Sequence, residues 1–370
     1  MSKTQQTYMY SSFLLMFIIH DALVGVGLPG YQRIVFGIVG HDAWIAVLIA
    51  GIVTQLVVWL MIRTLAKFPN KDLYEIHLLV YGKSLGNVLN LIYIVYFLFA
   101  TIIVMRNYIE MIQVWLFPNA PQWVLSLLIT SIVFYGVNGG IRTIVGACFV
   151  FVTLTVWLIF LLYFPLRYAD WTGVLPLLET DLKHLSKGVL SMSFTMTGFE
   201  ILYFIYAYAR DKSKVQRYTQ IGLMSVTLVY TSVMFVSIVF FSGGELLKTD
   251  WATFTMLKII KFPFLERFEY IGVSLWLLVI VPNLLMYSWA ATKGLKRTFL
   301  WKQKYWLYLF MGVACIACSF IDSRIQINQI NDLFAMWAVY IVYVYPVFLF
   351  GIVHIYFWRQ KNKSQAEVNE

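Results

Sequence analysis

Apolar residues run along this chain in blocks separated by short polar loops. The blocks fall near 8–36, 43–63, 89–117, 122–137, 143–164, 186–208, 217–241, 268–292, 305–321 and 334–357. Most exceed the roughly 18 residues that mark a bilayer-crossing helix, whereas a membrane-barrel strand alternates over only about ten. The pattern predicts an all-α integral membrane protein of about ten transmembrane helices. The first block follows Lys3 with no small-residue cleavage motif before the second, which predicts a retained helix and not a signal peptide.

Two loops carry helical periodicity of their own. Within 67–88, Leu73, Ile76, Leu79 and Val80 share one face and predict a short amphipathic helix beside the membrane. Within 244–266, Trp251, Phe254, Leu257 and Ile260 recur every third residue and predict a helix lying over the bundle, with Lys258 and Lys261 close to its apolar stripe.

Two blocks are interrupted. The first contains Gly25-Val26-Gly27-Leu28-Pro29-Gly30, and the sixth contains Ser193-Phe194-Thr195-Met196-Thr197-Gly198-Phe199-Glu200. Glycine weakens a helix by about 1 kcal/mol relative to alanine and proline removes a donor at greater cost. In hydrocarbon, irregular backbone persists only where it lines a cavity or a site. Blocks one and six open the two halves of a chain built as five plus five, with helices 1–5 over about 8–164 and helices 6–10 over about 186–357. Breaks at corresponding positions of two inverted halves point to a binding site near the midplane. Freed N–H groups there suit a carboxylate and freed carbonyls suit a cation or an amine. Close helix packing is the competing reading of the small residues. The candidate ligand-binding residues on the two breaks are Gly25, Val26, Gly27, Thr195, Thr197, Gly198, Phe199 and Glu200.

Charge adds topology and a few more candidates. Only 12% of residues are charged, about half the level of a soluble domain. Most of the 28 basic residues cluster in alternate loops, including Arg63, Lys67 and Lys71, Arg210 to Arg217, and Lys293 to Lys304. Positive loops face the cytoplasm, which predicts both termini there, with 358–370 as a short cytoplasmic tail. The net charge of +10 is then a match to anionic lipid and not to nucleic acid. Asp21, Arg106, Glu110 and Glu200 fall at membrane depth, where each needs a partner. Arg106 and Glu110, four apart, either pair with each other, or Arg106 neutralises Glu200 or a ligand carboxylate. Glu200 has three readings: it receives an amine, takes up a proton, or caps freed N–H groups. Tyr96 is a candidate pocket wall with Phe199, as are Phe97, Phe194 and Tyr287. Cys315 and Cys318 sit in an apolar run and read as packing. No catalytic motif, metal-ligand cluster or cofactor motif is present in the sequence, which predicts neither an enzyme nor a bound cofactor or metal.

The residues Gly25-x-Gly27-x-Pro29 and Gly198-Phe199-Glu200 resemble the broken first and sixth helices of the amino acid–polyamine–organocation superfamily, which has the LeuT-type fold. Within it, Pro69, Leu73-x-Glu75 and Gly82-Lys83-x-x-Gly86 are similar to the B subunits of nutrient germinant receptors of bacterial endospores. Those subunits often carry a proline where this chain reads Ala207-Tyr208-Ala209. The resemblance implies a nutrient-sensing subunit in the spore inner membrane, with an amino-acid-like ligand and two partner subunits, a larger membrane subunit and a lipoprotein. The rival it also implies is an ion- or proton-coupled amino-acid transporter. Permeases of that kind often carry a lysine in helix five, and Thr143 to Phe164 contains none.

Overall fold

The computed structural model describes residues 9–261 and 267–369, and the side chains of 363–369 are left aside. Lys3, Tyr8 and Glu266 lie outside the described residues. Everything regular among the described residues is helical. Span one is split into Ser12–Leu23 and Tyr31–Val39, followed by span two, Ala43–Ala66. Span three belongs to Leu73–Trp115, span four is Gln122–Asn138, and span five is Gly140–Leu166. Span six is split into Leu182–Thr195 and Phe199–Tyr208, which meet at 55°. Spans seven to nine are Lys212–Phe240, Phe268–Phe299 and Gln303–Ser319. Span ten starts at Arg324–Ala338, passes through a π-helical stretch, Val339–Val344, and continues as Tyr345–Asn369.

Six of these helices, or seven with the bent pair, are long and apolar enough to cross a bilayer by themselves. Spans four and nine are each 17 residues, about 25 Å at 1.5 Å per residue, slightly short of a roughly 30 Å hydrocarbon core. Span one falls short because it is broken. One buried apolar cluster takes side chains from both sets of five helices.

The amphipathic helix forms at Leu73 and abuts span three at Gly82, whose φ of +78° turns the chain out of the helical path. A capping box starts it: the Asp72 carboxylate accepts from Glu75 N–H at 3.1 Å, and Glu75 accepts from Asp72 N–H at 3.1 Å. Leu73 and Ile76 are buried, but Leu79 is exposed, so its face is narrower than the spacing suggested. The far-side segment forms two short helices, Gly243–Leu246 and Ala252–Leu257, in place of one. Trp251, Phe254 and Ile260 are buried as expected. Lys258 escapes the apolar stripe by stacking its ammonium on Trp115, 4.7 Å from the ring centre.

The start of span one and the end of span six meet on the face that carries the termini. Tyr10 N–H donates to Tyr208 at 3.1 Å, and Arg210 N–H donates to Tyr10 at 3.0 Å. Ser12 Oγ donates to the Asp211 carbonyl at 2.7 Å.

Candidate functional site

Both breaks occur where the sequence places them. After Leu23 the backbone turns extended at Val24 (ψ 110°), and helix resumes at Tyr31. Span six stops at Thr195 and restarts after Gly198, whose φ of +118° favours glycine. A Cβ on Gly198 would lie 1.8 Å from the Ala22 carbonyl oxygen, so the two broken helices touch backbone to backbone here.

Orphan carbonyls at the breaks are satisfied by neutral side chains from three other spans. Asn283 Nδ2, in span eight, donates to Asp21 O at 2.8 Å and Val24 O at 3.2 Å. It follows Pro282, which has no N–H of its own to give. Tyr230 of span seven places its hydroxyl 3.0 Å from Leu23 O and 3.4 Å from Thr195 O, touching both breaks at once. Tyr343, in the π-helical stretch, donates to Met196 O at 3.3 Å. By contrast, the N–H groups of Val26 and Gly27 have no hydrogen-bond partner among the described residues.

Between the breaks lies a cavity of about 30 Å³, lined by Gly25, Val26, Gly27, Thr195 and Thr197, with Ala100, Phe194, Asn283, Tyr287 and Phe334 among its walls. That is room for about two waters. A second cavity of about 410 Å³ opens on the face opposite the termini and shares Val26, Gly27, Phe194 and Thr195 with the first. Its rim carries Arg33 and Asp250, paired at 3.0 Å, and Arg324.

Glu200, Tyr96 and Phe199 sit behind the small cavity, not on its wall. Glu200 is fully buried. Its Oε2 accepts from Gly198 N–H at 2.7 Å and its Oε1 from the Tyr96 hydroxyl at 2.9 Å. The carboxylate thus caps the restarted helix, and no basic side chain pairs with it among the described residues. Phe199 packs edge-on against Tyr343.

Arg106 and Glu110 require a correction. Glu110 pairs with Arg324 of span ten at 2.5 Å. Arg106 donates from Nε to the Ile321 carbonyl at 2.6 Å instead. Ten residues separate Tyr96 from Arg106 on one helix, about 15 Å, so the guanidinium does not neutralise Glu200. The entry to span ten supplies a carbonyl and a cation at the far end of span three, and these outcompete the intrahelical pair. Adjacent on span one, His20 and Asp21 have different neighbours: His20 Nδ1 lies 2.9 Å from Ser225 Oγ, while the Asp21 carboxyl lies near the Cys148 thiol of span five. Adjacent helical residues point about 100° apart and do not meet.

Sequence reasoning missed Tyr230, Asn283 and Tyr343. An asparagine directly after a proline in an apolar run was the available signal for Asn283. Single tyrosines in aromatic-rich spans gave none.

The family model described as "Spore germination protein" matches residues 10–327. Spore germination protein GerQB of Bacillus cereus is 34% identical over 87% of this chain and 89% of its own length. Spore germination protein B2 of Bacillus subtilis (strain 168) is 24% identical over 73% of each chain. Spore germination protein A2 of the same strain is 23% identical over 81% of this chain and 83% of its own. Among solved structures, the manganese transporter of Eremococcus coleocola superposes with a TM-score of 0.61, at 11% identity, over 95% of this chain and 85% of that one. That likeness shows the LeuT-type fold, five plus five helices with the first and sixth broken. It carries nothing about manganese, and no group of three or more potential metal-ligating side chains exists among the described residues. With the family match spanning most of its length, this multi-pass membrane chain belongs to the spore germination protein family.

Proposed function

We propose that the chain senses a nutrient of amino-acid type as the membrane-embedded subunit of a spore germinant receptor, and that the ligand sits between the two helix breaks. The observation that supports this most is the pair of N–H groups at Val26 and Gly27 that have no hydrogen-bond partner among the described residues, on residues that line both the small cavity and the wide far-side one. Backbone N–H groups at the start of a half-helix suit a carboxylate. Apolar walls from Ala100, Val104 and Phe334, with no charged side chain among them, favour a small neutral side chain on the ligand. About 30 Å³ is less than any amino acid needs, so binding requires Phe194 or the second half of span one to move. A ligand shifts such an equilibrium only by binding one state better than the other. By resemblance, a larger membrane subunit and a lipoprotein read the shift, with both termini in the cytoplasm and the spore inner membrane as the setting.

Purified protein in liposomes separates this reading from transport. A small neutral amino acid is expected to raise the melting temperature without accumulating inside under a proton or sodium gradient. A strain lacking the gene is expected to lose its response to that nutrient. Concentrative uptake that depends on the gradient would replace the receptor reading with the transporter reading.

A further inference from the structure

A cavity of about 460 Å³ on the termini face has no part in the nutrient site. It lies between the loop joining spans four and five and the ends of spans eight and nine, and Gly139, Gly140, Lys293, Lys296, Gln303 and Lys304 line it. Lys293 has an answer, the Asp72 carboxylate at 2.7 Å. Lys296 and Lys304 form no ion pair among the described residues, so two full positive charges face one concave space. Two helices, Gly140–Thr155 and Gln303–Ser319, begin at its edge, and neither has a side-chain cap on its first N–H groups. Spans four and eight end at the same edge, so the helix dipoles offset one another and the positive charge there is that of the lysines. Exposed rings stand next to the lining residues in the chain: Trp301 (65% exposed) and Tyr305 (59%) flank Gln303 and Lys304, and Tyr135 (83%) precedes Val137 and Asn138. Exposed rings at one level mark the headgroup region of a bilayer.

We propose that this cavity binds the phosphate-bearing headgroup of an anionic phospholipid, with the acyl chains lying on the outer surface of spans four and nine. The chemistry is that of any phosphate, but the position favours lipid. A soluble anion would need only the cations, whereas the belt of exposed rings and the apolar surfaces of spans four and nine, with Leu127, Leu128, Leu309 and Ile316 all exposed, continue from the same cavity into hydrocarbon.

The test uses the full chain, delipidated in detergent and titrated with phosphatidylglycerol, phosphatidylcholine or inorganic phosphate, with bound lipid counted by native mass spectrometry. Interfacial lysines attract an anionic lipid, so Lys296→Gln with Lys304→Gln is expected to weaken phosphatidylglycerol binding by about tenfold or more. Lys67→Gln with Lys71→Gln removes the same charge from the same face and is expected to change it less than about twofold. Equal loss in the two double variants, equal retention of phosphatidylcholine, or full competition by inorganic phosphate would each overturn the lipid site. Both doubles are checked for an unchanged melting temperature, and Lys296→Arg with Lys304→Arg is expected to keep binding. Failure of that rescue also counts against the proposal.

Discussion

Glu200 is the sharpest place to test what the buried charge does. Replacing it with alanine leaves two buried donors, Gly198 N–H and the Tyr96 hydroxyl, without their acceptor. Each such loss costs roughly 1–3 kcal/mol, so Glu200→Ala is expected to lose roughly 2–6 kcal/mol. The upper end of that range reaches the roughly 5–15 kcal/mol that is the whole stability of a domain, and reduced protein level is the expected outcome. Glutamine changes much less. Its carbonyl oxygen still accepts from Gly198, and its amide donates to the Tyr96 oxygen once that hydroxyl turns. With no cation paired to the carboxylate among the described residues, nothing on the protein side is stranded by removing the charge. Glu200→Gln is expected to melt within a few degrees of the parent. Its half-maximal nutrient concentration is expected within about threefold, or under about 0.7 kcal/mol. The assays are germination dose–response with levels matched by immunoblot, and thermal shift of the purified protein. A shift of tenfold or more in a normally folded Glu200→Gln protein would refute the capping argument and return the carboxylate to the ligand.

Other substitutions separate parts of the structure. A Cβ on Gly25 meets only Asn283, at 3.7 Å, so Gly25→Ala is expected to accumulate normally yet lose nutrient binding by occupying the small cavity. Gly198→Ala is expected not to accumulate, and immunoblot with ligand thermal shift checks both; unchanged binding in Gly25→Ala would move the ligand elsewhere. A double-mutant cycle on melting is expected to show coupling of at least about 0.5 kcal/mol between Glu110 and Arg324, and less between Glu110 and Arg106. Burial pushes the Asp72 carboxyl up, but Lys293 and Arg297 outweigh it and hold it below its ordinary value. Its contribution is therefore complete above about pH 4 and disappears as pH falls further, through the lowered native value. Asp72→Asn is expected to lower the melting temperature at neutral pH and to flatten its fall below about pH 4; a parallel fall in both proteins would contradict the clamp.

What the sequence reveals and what it hides have different physical origins. The spans and both breaks follow from local terms: apolar run length and the helix penalties of glycine and proline. These act over a few residues, so spacing alone displays them. The partners of the breaks do not. Asn283 lies 262 residues from Asp21, and Arg324 lies 214 from Glu110, so only the packed bundle decides that they meet. The helical spacing of Arg106 and Glu110 offers a local pair that competes on paper, and a long-range cation wins. The likeness of Glu200 to a ligand-binding acid was legible as well. Its use as a cap was one of the local options, and geometry favours that one because Gly198 N–H points at it.

The energetics of the breaks also bear on how a nutrient acts. To turn a receptor from about 1:99 to 99:1, a ligand must prefer the second state by about 5.5 kcal/mol. A buried ion pair across the breaks would add roughly 3–5 kcal/mol to be broken. Instead the carbonyls of Asp21, Leu23, Val24, Thr195 and Met196 are held by the side chains of Asn283, Tyr230 and Tyr343, all neutral. Each such bond is worth about 1 kcal/mol net, and a moving half-helix exchanges them one at a time. On the proposed reading, the Val26 and Gly27 N–H groups, which have no protein partner among the described residues, gain bonds to the ligand carboxylate. On that reading the ligand's preference for one state comes from backbone contacts and a few apolar walls, with no charged side chain among them.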